Sequence, residues 1–271
     1  ASLAFSELGV ISPTGRIHAF SDDADGIVRA DAAGFVVLKR VEDAIRDGDN
    51  VLAVIKGSAT NSDGHSNGLT APNPEAQVDV LRRAYADAGV DPHEVDLVEA
   101  HGTGTILGDP IEAAALGEVL GRGREAYQPL LLGSAKSNIG HSESAAGVVA
   151  LIKVLEALKH DTIPESINFA APNRYVDFDA ERIEVVQDPR EWPRYSGRRV
   201  AGISGFGFGG TNAHVVVADF DPADYNFDVV EDEPAFEGVS AAALPVSGLL
   251  PSRRKEAAGV LADFLEGRAD A

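Results

Sequence analysis

No cysteine and no methionine occur in the 271 residues, and tryptophan occurs once. Without cysteine the chain can supply no disulfide framework, thiolate metal site, iron–sulfur cluster or cysteine nucleophile of its own. Positive charge is scarce too: 23 lysines and arginines stand against 43 acidic residues, a net charge of −20. That balance opposes binding to nucleic acid or to an anionic membrane surface, and it favours solubility. No uninterrupted apolar run approaches a membrane span, and the opening ASLAFSELG has neither the basic region nor the apolar core of a signal peptide. A soluble, cytoplasmic protein is the expectation. The remaining composition, 44% hydrophobic and 24% charged, is that of a globular chain long enough for one large or two modest domains. A start at Ala1 with no methionine anywhere suggests a piece of something longer.

Hydrophobic periodicity predicts interleaved strands and helices. Val51 to Ala59 is β-branched and apolar and reads as a buried strand. Pro74 to Ala88 reads as an amphipathic helix, with Val78, Leu81 and Tyr85 at three- and four-residue spacing and Gly89 as its stop. Val95 to Ala100 is a short strand running into the glycine-rich turn His101 to Gly108. Asp109-Pro110-Ile111-Glu112 has the acceptor, proline and acid of a helix N-terminus, with the helix expected to reach Leu120. Leu130 to Ser134 reads as a strand and Ser142 to Lys159 as an alanine-rich, largely buried helix. Ile183 to Val186, Arg199 to Ser204 and Ala213 to Ala218 complete the strands; the last two flank Gly205 to Gly210 like a hairpin with a widened turn. The class is α/β. After Ala218 the composition shifts: residues 219–243 read as an acidic linker, and 244–271 as the start of a further domain with a strand near Leu244 and a helix over Pro251 to Glu266.

Three of the seven histidines sit among glycine, threonine and asparagine: His101 in EAHGTGT, His141 in SNIGHSESAAG and His214 in GGTNAH. A histidine at a strand end followed by Gly-Thr-Gly-Thr can meet a ligand, because the glycines admit it and the hydroxyls can hydrogen-bond it. A satisfied turn histidine is the bland alternative for any one of these motifs. Lys136 lies five residues before His141, and Glu112 eleven beyond His101; a Lys–Glu pair there would tune both imidazoles, although a plain structural ion pair is commoner. The loop Gly205-Phe206-Gly207-Phe208-Gly209-Gly210 brings closely spaced backbone N–H groups that suit an oxyanion hole, and Phe208 could gate an apolar tunnel. It is no dinucleotide fingerprint, since no helix clearly follows. Asp22-Asp23-Ala24-Asp25-Gly26 resembles a fragment of a calcium loop but lacks the distal glutamate, so it reads as a turn. Arg253-Arg254-Lys255 reads as the solvated face of its helix.

Taken together, GVISPTGRIHAFSDDADGIVRADAAGFVVLKR, GSATNSDGHSNGLTAPN, VEAHGTGTILGDPIEAAAL, LLLGSAKSNIGHSESAAGVVALIKVL and GISGFGFGGTNAHVVV resemble, in order and spacing over about residues 1–218, the β-ketoacyl synthase (ketosynthase) domain of modular type I polyketide synthases. The tail resembles the linker that leads towards an acyltransferase. With DPREWPRYSGR, its wording is most similar to actinobacterial synthases of the mycolic-acid type. The resemblance implies a thiolase fold, an αβαβα sandwich of two α/β halves of which this chain is mainly the C-terminal one, working as a homodimer. It implies decarboxylative Claisen condensation of carrier-bound acyl and malonyl-type thioesters. His101 and His141 would be catalytic with Lys136; Glu112, Phe208 and Gly209 would support them; Thr103 and Thr105 would hold the phosphopantetheine arm. No cofactor would be bound by the domain itself and no metal is expected.

The family's nucleophile is a cysteine upstream of the residues matched here, so the chain alone is expected to be inactive. Its expected partners are the N-terminal part of the ketosynthase, an acyl carrier protein, an adjacent acyltransferase and a second copy. Asp31 stands where the family usually has glutamate, a mild departure. Two rival readings are a non-catalytic ketosynthase-like dimerisation or chain-length partner, and a metal hydrolase built on His101, His141 and His214.

Overall fold

The computed structural model describes residues 2–64, 72–225, 254, 255 and 257–262. The chain divides into two compact units, Ala1–Asn226 and Phe227–Ala271. In the first, the strands are β1 (Val54–Ser62), β2 (Leu97–Glu99), β3 (Leu130–Gly133), β4 (Thr162–Ile163), β5 (Ile183–Val185), β6 (Arg190–Glu191), β7 (Val200–Phe206) and β8 (Thr211–Ala218). The helices are α1 (Ser2–Glu7), α2 (Val41–Arg46), α3 (Pro74–Ala88), α4 (Gly108–Leu116), α5 (Lys136–Ile139), α6 (Ala146–His160) and α7 (Phe178–Glu181). In the second unit residues 254, 255 and 257–262 are helical, inside the predicted span, and Arg254 and Lys255 are exposed. The expected strand at Leu244 and Arg253 lie outside the described residues.

Six strands form one mixed sheet in the order β1-β8-β7-β2-β3-β5. The β1, β8 and β7 strands pair antiparallel, and β7, β2, β3 and β5 run parallel. Each interior strand must bury both faces, and the sequence alternates accordingly. Val98, Leu130, Leu132, Val200 and Val216 pack on one side with α3 and α4. Leu97, Leu131, Ala201, Ile203 and Val217 pack on the other with α6, Ile163 and Trp192. The result is a helix layer on each side of the sheet.

Helix α3 has the predicted bounds. The Asn73 side chain accepts from the N–H groups of Glu75 and Ala76, Pro74 occupies the first turn, and Gly89 closes it in the left-handed conformation. Other elements depart from expectation for local reasons. The first strand is shifted to 54–62, because its partner β8 extends to Thr211. Helix α4 ends at Leu116 and continues as a π turn over Gly117–Gly121. The Asp109 carboxylate does not cap α4. It turns back to accept from the N–H groups of Phe20, Gly104 and Thr105, and the Thr105 hydroxyl takes the Gly108 N–H instead. Helix α6 starts at Ala146 after a 3₁₀ turn, and only Ala150, Val154, Ala157 and Leu158 are buried. It is a one-sided helix, not the largely buried one expected.

Candidate active site

The sheet ends its parallel strands at one rim, where a cavity of about 520 Å³ opens. His101 follows β2 by two residues, Lys136 opens α5 just beyond β3, and His141 lies in the turn before α6. Strand-end loops are where an α/β sheet places reactive groups, since the strands themselves are consumed by pairing. The β7–β8 loop closes the same cavity, which Thr103, Thr105, Phe208 and Asn212 also line.

The two imidazoles meet edge to face, with ring centroids 5.6 Å apart. The backbone fixes each ring through one nitrogen. His101 Nδ1 accepts from the Phe206 N–H at 3.3 Å, and His141 Nδ1 accepts from the Glu143 N–H at 2.9 Å. A neutral imidazole with Nδ1 accepting carries its proton on Nε2. Both rings are neutral at pH 7. Burial, then Lys136 and the other imidazole, hold His101 well below the usual value. Burial first and Lys136 second bring His141 down to about 4. The residue His141 is itself pinned by segment 28–30: its N–H donates to the Val28 carbonyl, and its carbonyl accepts from the Ala30 N–H.

Below the imidazoles lies a buried charge cluster. Glu112, 2% exposed, accepts from the His101 and Gly102 N–H groups at 2.7 and 2.8 Å. Burial raises its pKa against those two bonds, and burial likewise raises Asp109 to about 6. Lys136, 6% exposed, is lowered by burial, while Glu99, Glu112 and Asp109 pull it back up. The expected Lys136–Glu112 ion pair is not formed among the described residues. Glu112 is consumed by backbone N–H groups, and the foremost counter-charge to Lys136 is Glu99. Glu99, in turn, is 1% exposed and ion-paired to Lys153 at 2.6 Å.

The remaining expected residues divide. Thr103 and Thr105 hydroxyls lie 3.2 Å apart at the cavity wall. Phe208 is 47% exposed, its ring edge-to-face with Phe5 at 5.4 Å. The loop around it is held by the Gly207 N–H to Thr211 carbonyl bond, while the Phe208 N–H has no acceptor among the described residues. Gly209 has open space around it. His214 does not join the other two histidines: it is wholly buried between Ser204 and Tyr85. Among the described residues no group of three histidine, aspartate or glutamate side chains is arranged to hold a metal ion. Asp22 makes a two-pronged ion pair with Arg174 and Asp25 accepts from Thr14, so that acidic stretch is a turn.

Known proteins are similar to this chain over most of its length. Residues 52–170 match the β-ketoacyl synthase C-terminal domain family, 1–44 the β-ketoacyl synthase N-terminal domain, and 172–265 the ketoacyl-synthetase C-terminal extension. A phenolphthiocerol/phthiocerol polyketide synthase polypeptide of Mycobacterium tuberculosis is 53% identical over 265 residues, 97% of this chain and 14% of that protein. The chain belongs to the β-ketoacyl synthase family. A second polypeptide of the phenolphthiocerol/phthiocerol polyketide synthase of M. tuberculosis is 45% identical over 98% of the chain and 14% of its own length. The ketosynthase from module 6 of the bacillaene synthase of Bacillus subtilis superposes with a TM-score of 0.76 at 39% identity, over 81% of this chain and 40% of that one. The fold is therefore thiolase-like, and the ketosynthase is of the type I modular polyketide synthase kind. The chain spans about a seventh of the synthases it matches and two-fifths of that solved domain.

Several positions in and around the cavity escape sequence reasoning. Asp109 looks like a helix cap, yet it holds the threonine turn against Phe20. Glu99 was legible in principle, because an acid inside the apolar strand Leu97–Glu99 must find a buried partner. Gln77 and Ser204, both 2% exposed and both lining the cavity, carry no motif that would single them out.

Proposed function

We propose that the chain is the C-terminal part of a ketosynthase that condenses carrier-bound acyl and malonyl-type thioesters in polyketide or long-chain lipid assembly. The observation that carries this reading is the pair of neutral imidazoles. Both rings have Nδ1 engaged by a backbone N–H, so both keep an Nε2–H for a ligand oxygen. A malonyl-type thioester that loses CO₂ leaves its electron pair on an enolate, whose oxygen two such donors stabilise. The enolate carbon then attacks the acyl thioester carbonyl, a C–C bond forms, the C–S bond breaks, and the thiolate that had carried the acyl group departs. Burial first and the charge of Lys136 second lower both imidazole pKa values and so keep the rings as neutral donors.

The thiolate comes from outside these residues, since the chain has no cysteine; the N-terminal part of the ketosynthase supplies it, and the chain alone is inactive. Thr103 and Thr105 hold the phosphopantetheine arm of an acyl carrier protein, and the Phe208 N–H faces the developing oxyanion. An adjacent acyltransferase, a second copy of the domain and a cytoplasmic location complete the reading; among the described residues no helix is long and apolar enough to cross a membrane.

The test uses the intact synthase polypeptide. His101→Ala or His141→Ala should leave acyl loading largely intact while condensation falls by about 10²–10³, the usual cost of a lost transition-state donor. Rapid-quench assays of the two half-reactions separate these steps. Condensation at the wild-type rate in either variant would remove the assigned roles.

A further inference from the structure

The N–H that fixes the His141 ring comes from a residue held against its own preference. Glu143 has a φ of +49°, in the left-handed region that a residue with a Cβ occupies only where its surroundings support it. In that conformation its N–H points back at His141 Nδ1, 2.9 Å away.

The support comes from Arg29. Its guanidinium donates to the Glu143 carboxylate and lies over the Phe5 ring, 5.6 Å from the centroid. Arg29 holds that carboxyl below its ordinary range, so the pair is charged at neutral pH. The backbone of the same residue bridges His141 as an isolated parallel pair, between the bonds that tie His141 to Val28 and Ala30. One segment therefore holds His141 by its main chain and Glu143 by a side chain. The segments approach this closely because residue 140 has no side chain: a Cβ there would lie 2.9 Å from the Ala30 Cβ and 3.0 Å from the Val28 carbonyl oxygen. An ion pair this near the surface adds little stability; a fixed direction is what it can supply.

We propose that Arg29 is a positioning residue for His141, acting through the backbone of Glu143. By gripping the carboxylate it keeps residue 143 left-handed, and the Glu143 N–H then keeps the His141 proton on Nε2. Released, residue 143 relaxes to a right-handed or extended backbone and its N–H leaves Nδ1. The imidazole then samples the other tautomer, whose Nε2 carries a lone pair and can accept but not donate. The assignment rests on the ketosynthase reading for what the Nε2–H does and extends it to what holds that proton in place.

The experiment uses the intact synthase polypeptide as wild type, Arg29→Met, Glu143→Ala and Glu143→Gly, with thermal melts alongside. Diethyl pyrocarbonate acylates the lone-pair nitrogen of a neutral imidazole, and mass spectrometry reads its rate at His141 with His101 as the internal reference. Arg29→Met and Glu143→Ala should raise the His141 to His101 rate ratio about 2–10-fold, the factor that one net hydrogen bond sets. Glu143→Gly loses the same carboxylate yet takes the left-handed backbone without a steric cost, so its rise should be clearly smaller. Condensation should fall in the same order while acyl loading stays level. Glu143 is exposed, so its two variants decide the matter even where Arg29→Met folds poorly. An unchanged ratio in Glu143→Ala, or equal ratios in Glu143→Ala and Glu143→Gly, would overturn the assignment. A lower melting temperature with the ratio unchanged would make the ion pair purely structural. Labelling needs no turnover, so a synthase that shows the expected ratios yet never condenses would refute the condensation reading and leave the positioning role standing.

Discussion

Phe208 shows how burial decides a residue's role. At 47% exposed, with one edge-to-face partner in Phe5, it lacks the contacts of a core aromatic. Phe208→Ala should cost far less than the roughly 3–5 kcal/mol of a buried phenylalanine, while altering which acyl chains are accepted. Calorimetric melting together with a chain-length profile of the intact synthase checks this; a large stability loss with an unchanged profile would make it a structural residue. His214 is the opposite case. Burial brings its pKa down to about 3, and the unfolded chain titrates near 6.5. Between about pH 6.5 and 3 the unfolded state binds the extra proton, so this residue's contribution is complete above pH 6.5 and is lost as pH falls towards 3. Buried Asp109 and Glu112, whose pKa values are raised, act with the opposite sign. Denaturant titrations of wild type and His214→Gln across this range cancel their effect, and the variant should have the shallower acid loss. Parallel profiles would show that His214 gains its proton without unfolding.

At the scale of elements, the layer spacing depends on what is missing from one strand. Helix α3 crosses β1 so closely that a Cβ on Gly57 would lie 2.3 Å from the Ala88 backbone nitrogen. Backbone cannot rotate away as a side chain can, so the helix end must shift. Gly57→Ala should destabilise by about 1–3 kcal/mol and lower the melting temperature by about 2–4 °C per kcal/mol. Since α3 carries Gln77, which lines the cavity, the same shift should also disturb the cavity wall. A variant that melts with the wild type would mean that β1 and α3 have slack.

For the molecule as a whole, the apolar surface left uncovered is the informative quantity. Phe35 and Val37 are 95% and 96% exposed and Leu38 is 70% exposed, in an extended segment outside the sheet. On α6, Ile152 is 36% exposed on the face turned from the core. Contiguous apolar surface of this kind marks an interface, and the chain covers two-fifths of the solved ketosynthase that it superposes on. The isolated 271 residues should therefore self-associate, fail to take up acyl groups for want of a cysteine, and become dispersed when the N-terminal part of the ketosynthase is co-expressed. Sedimentation and acyl-loading assays check both halves of this expectation; a sharply melting monomer that turns over thioesters unaided would contradict it.

The sequence by itself determined the α/β class, helix α3 from Asn73 to Gly89, the glycine-rich hairpin and the cluster of His101, Lys136 and His141. Local rules govern the first three, through caps, periodicity and turn glycines; the cluster, whose histidines lie 40 residues apart, came from the family resemblance. Only the tertiary structure decided that Asp109 serves the turn and not its helix, that Glu99 is the foremost counter-charge to Lys136 while Glu112 holds two backbone N–H groups, and that His214 stands apart from the other histidines. The physical reason is competition among distant partners. A buried carboxylate or imidazole goes to whichever donors or acceptors the packed layers bring within about 3 Å, and those partners lie far away in sequence: Phe20 for Asp109, Tyr85 for His214.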